Sequence, residues 1–234
     1  MWIYKLERKI PWFKIPNLTL WIAIISGLVY FFDLVSMAQS NNFNLSSLIY
    51  FNRDLIFGGQ VWRLVTFIFV PPSSVFSPLG SNIIFILLSL YFLYFIGTGL
   101  ESVWGEFKLT VYYTTGLIFA ILGGLLVGQS NPTFLNLSLF LAFAALYPDL
   151  SVMIFFIIPV KVKWLGYFSS LVLLFSIISS LFALRWSNAV AATMAVANFL
   201  LFFGPRFFSD MINKLKYLKS RQDFINKTKN SWQN

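Results

Sequence analysis

The chain has 234 residues, of which 58% are apolar, 20% are aromatic and only 11% carry charge. A soluble domain carries charge on about a quarter of its residues, so this composition indicates a membrane protein and excludes the soluble, disordered and fibrous classes. The chain has no Cys and no His, which excludes disulfides, thiolate and imidazole ligands and a histidine base. No metal and no cofactor is predicted.

Six apolar stretches are predicted to span the membrane. They cover residues 17–36, 82–100, 109–128, 133–147, 164–184 and 187–203. The fourth stretch is short for a crossing of about 30 Å at about 1.5 Å per residue, so we expect it to begin or end below the membrane surface. The apolar piece 152–160 is too short to cross, which predicts a segment that lies at the interface or under the bundle.

The positions of the basic residues predict the orientation, because cytoplasmic segments collect Lys and Arg. With six spans, 14 of the 17 Lys and Arg fall on the side that carries both termini, and three fall on the other side. We therefore expect both termini to be cytoplasmic, with the bacterial cell membrane as the location. The predicted organisation is a basic arm, 1–16, a membrane domain, 17–204, with a first loop at about 37–81, and a basic tail, 205–234.

The tail combines apolar and basic residues at helical spacing. The apolar residues are Phe207, Phe208, Met211, Ile212, Leu215 and Leu218, and the basic ones are Lys214, Lys216, Lys219 and Arg221. This pattern is typical of an amphipathic helix that lies on an anionic lipid surface, and a helix that binds a partner protein is the alternative. No nucleic-acid partner is predicted, since nothing in the tail resembles base readout.

The first loop carries more apolar surface than a water-exposed loop would, and it contains the dipeptide Trp62-Arg63. We expect the loop to lie partly in the outer leaflet. Trp62 would then lie at the level of the lipid headgroups, and Arg63 would pair with carbonyl groups or lipid phosphate. A plain interfacial anchor is the alternative.

The second span ends in Gly97, Glu101 and Gly105, each four residues after the previous one. Small residues let helices approach closely, and a carboxylate at a span end can accept hydrogen bonds from a neighbouring loop or helix terminus. A solvated carboxylate at the interface would explain Glu101 equally well in isolation.

Trp62-Arg63 in an embedded loop, followed by Gly97-x-x-x-Glu101-x-x-x-Gly105, resembles the rhomboid superfamily of intramembrane proteases and their non-proteolytic relatives. The six-span plan, the large first loop and the short fourth span are also similar to that family. The resemblance covers roughly residues 12–206. It implies an all-α fold, a rhomboid-like bundle of six transmembrane helices with a large membrane-embedded first loop.

The resemblance also implies that the chain lacks protease chemistry. In rhomboid proteases a Ser in Gly-x-Ser-Gly opens the fourth helix, and a His on the sixth helix completes the catalytic dyad. The matching positions here carry Thr133, without either glycine, and Ala191, while the two positions that help to stabilise the oxyanion carry Phe85 and Ser89. The chain is thus similar to the pseudoprotease branch, which includes inactive rhomboids and Derlin-like proteins that bind, retain or route membrane proteins.

Small and polar residues within the spans suggest packing roles. Gly116, Ala120, Gly124 and Gly128 recur every four residues in the third span, which predicts close packing inside the bundle, with a homodimer face as the alternative. Amides and hydroxyls in the spans should face inward, because unpaired polar groups are costly in hydrocarbon. Those expected to line a groove for substrate helices, or to cross-link the bundle, are Asn82, Asn136, Ser138, Asn188 and Asn198.

Three functions are compatible with this sequence. The leading one is a catalytically inert rhomboid-like protein that binds transmembrane segments of client proteins. The second is a divergent intramembrane protease that uses Thr133 or Ser138; its weakness is that a hydroxyl nucleophile needs an adjacent base. The third is a translocator of small molecules or lipids. Against it, no charged residue lies in the middle of a span and no inverted repeat is visible.

Overall fold

The computed structural model describes residues 2–39, 44–71, 83–154, 158–182 and 189–204. The predicted basic tail, together with Asn82 and Asn188, lies outside the described residues. The chain forms two compact units, Met1–Asn198 and Phe199–Asn234, and the described part of the second unit is 199–204.

The described residues are mostly helical. The helices are α1 (Trp2–Lys9), α2 (Leu18–Ala38), α3 (Leu45–Ile49), α4 (Arg53–Phe57), α5 (Arg63–Thr66), α6 (Ile83–Val127), α7 (Thr133–Leu146), α8 (Val162–Phe182) and α9 (Ala189–Gly204). A 3₁₀ turn, Phe67–Phe69, follows α5. Four short strands are β1 (Phe51–Asn52), β2 (Gln129–Ser130), β3 (Ser151–Ile154) and β4 (Ile158–Lys161).

Three of these helices, α2, α6 and α8, are long and apolar enough to cross a membrane, and α7 and α9 are shorter apolar helices. Each predicted span overlaps a helix, with the second and third spans both inside α6. The predicted helical fold is therefore confirmed, and the length and composition of three helices are consistent with the predicted membrane protein. The count of six spans stays a prediction.

The long helix α6 consists of two arms, 83–104 and 106–127, that meet at Gly105. Gly105 has φ 76° and ψ 164°, a conformation that is essentially restricted to glycine. The first arm runs parallel to α7, because Phe92 lies beside Phe140 and Phe95 beside Phe143, with ring centroids 5.7 and 5.6 Å apart.

The second arm runs in the opposite direction along α7. Tyr112 contacts Ser138, whereas Gly116, further along the arm, lies against Leu135, nearer the start of α7. The two arms are therefore antiparallel and form a helical hairpin. Each arm has about 22 residues and is about 33 Å long at about 1.5 Å per residue, which matches the thickness of a bilayer core.

Helix α2 packs antiparallel to the first arm of α6. Thr19 lies against Gly97 at one end of the contact, and further along a Cβ atom at Gly27 would lie 3.5 Å from a side-chain methyl of Leu90. The small side chains of α2 make this approach close, and Ala23 joins Leu90 in a buried apolar cluster.

The first loop is attached to the connection between α6 and α7 by the antiparallel pair β1–β2, in which Phe51 pairs with Ser130 and Asn52 with Gln129. Phe51 is 1% exposed and makes an edge contact with Phe67, with ring centroids 5.4 Å apart. The buried ring of Phe51 thus helps to hold the apolar first loop against the bundle.

The described residues of the predicted interfacial piece 152–160 lie in two strands, since β3 pairs antiparallel with β4 from Ser151 with Lys161 to Ile154 with Ile158. At its base, the ammonium groups of Lys161 and Lys163 each lie 3.5 Å from a carboxylate oxygen of Asp149. The predicted all-α fold therefore lacks two short strand pairs that the structure contains. Their formation depends on pairing between separate segments, which the local sequence pattern does not show.

Candidate functional site

A lateral cleft of about 490 Å³ lies between the first arm of α6, α7 and α8. Its walls are mostly apolar. They include Ser89 and Phe92 on α6, Thr133 and Asn136 on α7, and Phe168 and Val172 on α8. On the first arm the lining residues follow helical spacing, which places them on one face of the helix.

Helix α8 forms one wall of the cleft, and few of its side chains are buried. It lies close to α7 at Gly166, where a Cβ atom would be 2.8 Å from the Cβ atom of Ala144. Elsewhere it exposes large side chains, among them Tyr167, Phe168 and Leu171, which are 66, 67 and 64% exposed. This much exposed apolar surface requires an apolar environment or an apolar partner.

Two polar side chains in the cleft differ in how their hydrogen bonds are satisfied. Ser89 Oγ donates to the carbonyl oxygen of Phe85 at 2.8 Å, so its donor is already used within the helix. Asn136 Oδ1 is buried and has no hydrogen-bond partner among the described residues. The cleft wall therefore includes one residue whose buried acceptor has no hydrogen-bond partner among the described residues.

The other predicted groove residues that the structure describes lie on the opposite side of α7. Ser138 Oγ is 2.6 Å from the hydroxyl of Tyr112 and accepts from Asn198 Nδ2 at 3.3 Å. Asn198 Oδ1 accepts from Thr115 Oγ1 at 2.9 Å. Because Asn136 and Ser138 are two residues apart on a helix, their side chains point about 200° apart. Asn136 faces the cleft, whereas Ser138 and Asn198 link the second arm of α6, α7 and α9.

The two positions that match the rhomboid dyad line different cavities. Thr133 lies on the wall of the lateral cleft. Ala191 lines a separate cavity of about 250 Å³ at the start of α7, together with Asn131 and Phe134. Asn131 Oδ1 accepts the backbone N–H of Thr133 at 3.1 Å and so caps the helix.

Arg63 stabilises the first loop through hydrogen bonds to other residues of the same loop. Its side chain is 3% exposed, and Nη1 donates to the carbonyl oxygens of Ser47 and Tyr50 at 3.0 Å each, while Nε donates to Gln60 Oε1 at 2.7 Å. The pairing with carbonyl groups that the sequence suggested is therefore present. Trp62 is exposed, and its position at the lipid headgroups stays a prediction.

The Gly97, Glu101 and Gly105 set lies where α2 begins and α6 turns. Gly97 is in direct contact with Thr19, and a side chain at position 97 would occupy the space of that threonine. Glu101 Oε1 accepts from the backbone N–H of Asn17 at 3.1 Å. Glu101 thus has a partner at a helix terminus, which is one of the two roles the sequence allowed.

The stripe of small residues on the second arm faces the rest of the chain. Gly116 lies against α7, and Gly124 lies against the ring of Phe51, 2.7 Å from where a Cβ would be. Ala120 lines a small internal cavity, and Gly128 ends the arm with a φ of 100°. These contacts match the expected packing inside the bundle, and the homodimer face stays a prediction.

Comparison of the chain with protein-family models, with curated proteins and with solved structures finds no match. The rhomboid resemblance therefore depends on the motifs and on the arrangement of the spans.

Proposed function

We propose that this protein is a rhomboid-like integral membrane protein without proteolytic activity, which binds transmembrane segments of other membrane proteins in order to retain or route them. Quality control or regulation of membrane proteins is the corresponding role. The observation that carries the proposal is the lateral cleft between the first arm of α6 and α8, because its walls are mostly apolar, as the surface of a transmembrane segment is.

The proposal includes six spans, namely α2, the two arms of α6, α7, α8 and α9. Both termini then lie on the cytoplasmic side, with the basic tail on anionic lipid, and the membrane is that of a bacterial cell. The antiparallel arms of α6 and the balance of basic residues support this topology.

The contacts of the two motifs that resemble rhomboids support the family assignment. The positions that lack the catalytic residues support the absence of proteolysis. The buried Arg63 and the contact of Glu101 with Asn17 give the two shared motifs structural roles. Thr133 and Ala191 line different cavities. Ser138 contacts a phenol and an amide, Tyr112 and Asn198, and neither group is a base at neutral pH.

Disulfide trapping tests the binding site, because the chain has no Cys of its own. Val172→Cys places a thiol on the cleft wall, and Leu171→Cys places one on the exposed side of α8, outside the residues that line the cleft. In proteoliposomes with a synthetic transmembrane helix that carries a single Cys, we expect cross-linking at position 172 to exceed that at 171. Equal yields at the two positions would contradict the assignment of the cleft.

A cleavage assay tests the second part of the proposal. The purified protein is incubated with a rhomboid substrate and with a serine-reactive fluorophosphonate probe, and we expect neither cleavage nor labelling. Cleavage that disappears in Thr133→Ala or in Ser138→Ala would establish a protease instead.

A further inference from the structure

We infer that a second cleft, between α2 and the first loop, binds a primary ammonium group, as carried by an aminolipid headgroup or by a free amine. This loop cleft has a volume of about 500 Å³ and a mostly apolar lining, which includes Leu34 and Met37 on α2 and Val70 of the first loop. Asp33 on α2 brings a carboxylate into it. The lateral cleft has other lining residues, so the inference does not depend on helix binding.

The carboxylate of Asp33 has hydrogen-bond donors but no cation beside it. Oδ1 accepts the backbone N–H of Ser46 at 3.3 Å, and Oδ2 accepts from the hydroxyl of the same serine. Asp33 is half-buried, and it forms no ion pair with any Lys or Arg of the described residues. Its negative charge is therefore not balanced by the part of the chain that the structure describes.

The basic residues of the first loop are engaged elsewhere. Arg63 is buried and donates to three acceptors within the loop. Arg53 Nε lies 3.7 Å from a carboxylate oxygen of Asp54. Residues 37–81 contain no other Lys or Arg, so the loop that covers Asp33 has no further cation to offer.

The chemistry of the loop cleft fits an organic ammonium group better than a metal ion. A carboxylate in mostly apolar surroundings is stabilised by an opposite charge nearby. A hard metal ion needs several oxygen ligands, and the described residues contain no group of three or more acidic side chains. A primary ammonium group has three N–H donors, and the polar side chains of Tyr30 and Asn44 line the same cleft with further acceptors. The apolar lining suits the hydrocarbon part of such a ligand.

The depth of Asp33 matches that of a lipid headgroup. Helix α2 is long and apolar enough to span a membrane, and Asp33 lies 15 residues, about 22 Å along the axis, after Leu18 at its start. In a hydrocarbon core about 30 Å thick, this is close to the surface opposite the start of the helix. Met37 lines the loop cleft and is 70% exposed, so the cleft opens onto the outer surface of α2. An aminolipid can thus place its ammonium group in the cleft while its chains stay in the bilayer.

Native mass spectrometry of the full chain in detergent tests the inference, because it counts bound lipids directly. The two probes are dihexanoyl-phosphatidylethanolamine and dihexanoyl-phosphatidylcholine. They share the phosphate and the acyl chains, but only the ethanolamine lipid has N–H donors on its cation. We expect the ethanolamine lipid to bind about five- to tenfold more tightly, as a charge-assisted hydrogen bond at a half-buried site would give.

Three variants separate the charge of Asp33 from other effects. Asp33→Asn keeps the size and an acceptor for Ser46, and it should bring the two lipids to within about twofold of each other. Asp54→Asn removes an exposed carboxylate of the same loop and should leave the preference unchanged. Leu34→Trp narrows the cleft with Asp33 intact and should weaken binding of the ethanolamine lipid at least about fivefold, so the site is tested even where Asp33→Asn fails to fold.

Competition with free ethanolamine identifies the source of the ammonium group. Displacement of the ethanolamine lipid at similar concentrations would support the site with a free amine as its occupant, and displacement only at a large excess would support it with the lipid. Equal binding of the two lipids to the unchanged protein would overturn the inference, as would a preference that survives in Asp33→Asn. Neither result would affect cross-linking of a helix at position 172, which tests the proposed function separately.

Discussion

Glu101 Oε1 accepts a hydrogen bond from the backbone N–H of Asn17 at 3.1 Å, across 84 positions of sequence. Asn17 precedes α2 and has a left-handed backbone conformation, with φ 52°. Its N–H lies at a helix start, where backbone donors have no partner within the helix. Glu101 therefore joins the beginning of α2 to the first arm of α6, just before the turn at Gly105.

We expect Glu101→Leu to lower the free energy of unfolding by about 1–2 kcal/mol, because it leaves the Asn17 amide without its acceptor. Unfolding is followed by circular dichroism during titration of detergent micelles with dodecyl sulfate. The matched control is Glu106→Leu, which removes an exposed ion pair with Lys14 at 3.3 Å and should cost less than about 1 kcal/mol. A loss at position 106 as large as that at 101 would contradict a specific role for Glu101.

The turn between the arms of α6 predicts a strong preference for glycine at position 105. Because φ 76° and ψ 164° are costly for any residue with a Cβ atom, Gly105→Ala should lower the free energy of unfolding by about 1–3 kcal/mol. The same titration measures the change. Apart from the adjacent residues and the backbone of α6, no heavy atom of the described residues lies within 4 Å of a Cβ built at this position, so a loss would report backbone strain rather than a clash.

Gly123→Ala serves as the comparison within the same helix. Position 123 has a helical backbone, and its new Cβ would lie 3.3 Å from side-chain carbons of Met194 and Val190, a tight contact that small shifts of these side chains can relieve. Alanine also has the higher helix propensity, by about 1 kcal/mol, so this substitution should be close to neutral. Equal effects at positions 105 and 123 would rule out the turn as the cause.

The network of Arg63 predicts that lysine cannot replace it. Lysine keeps the charge but has no planar fork with which to reach Ser47, Tyr50 and Gln60 together. Arg63→Lys should destabilise the first loop by about 1.5–3 kcal/mol, which corresponds to amide hydrogen exchange about 10- to 100-fold faster across residues 44–71. Mass spectrometry of the deuterated protein in detergent measures this exchange.

Arg53→Lys is the control for that exchange experiment. Arg53 is on the same loop, but its side chain is 40% exposed and lies 3.7 Å from the exposed carboxylate of Asp54. Its replacement should change exchange by less than about fivefold, since exposed ion pairs contribute little. Faster exchange in both variants alike would show that loss of either guanidinium group loosens the loop, and that the buried network of Arg63 has no special role.

The helices could be predicted from sequence because long apolar runs have few alternatives in a membrane. The predicted fourth span, 133–147, differs from α7 (Thr133–Leu146) by one residue at its end. The strand pair of Phe51 with Ser130 could not be predicted, because two-residue strands have no local pattern and their pairing joins distant segments.

The sequence also could not predict the direction in which each side chain of α7 points. Helix α7 is apolar on all sides, so its residues give no amphipathic pattern to distinguish one face from another. Asn136 and Ser138 were therefore grouped as one predicted groove, although one faces the cleft and the other the bundle interior. The helical spacing of Ser89 and Phe92, which places them on one face of α6, was the sequence pattern from which the cleft could have been predicted.

The buried cluster around Asn198 leads to the last prediction. Asn198 is 0% exposed, donates to Ser138 Oγ and to the carbonyl oxygen of Tyr112, and accepts from Thr115. Asn198→Leu removes all three contacts and leaves polar partners buried, so the free energy of unfolding should fall by about 1–2 kcal/mol. Thr193→Val is the control on the same helix, because within the part of the chain that the structure describes Thr193 bonds locally, to the carbonyl oxygen of Ala189 at 2.7 Å.

A double-mutant cycle then separates the bond between Asn198 and Ser138 from the other contacts of Asn198. Ser138→Ala, alone and combined with Asn198→Leu, gives a coupling energy that we expect to be about 0.6 kcal/mol and at most about 1.7 kcal/mol. Strict additivity would show that the two side chains do not interact, and that Asn198 stabilises the bundle through Thr115 and the Tyr112 carbonyl alone. A measurable coupling would establish Ser138 as part of the link between α7 and α9, which leaves Asn136 as the amide of α7 that faces the cleft.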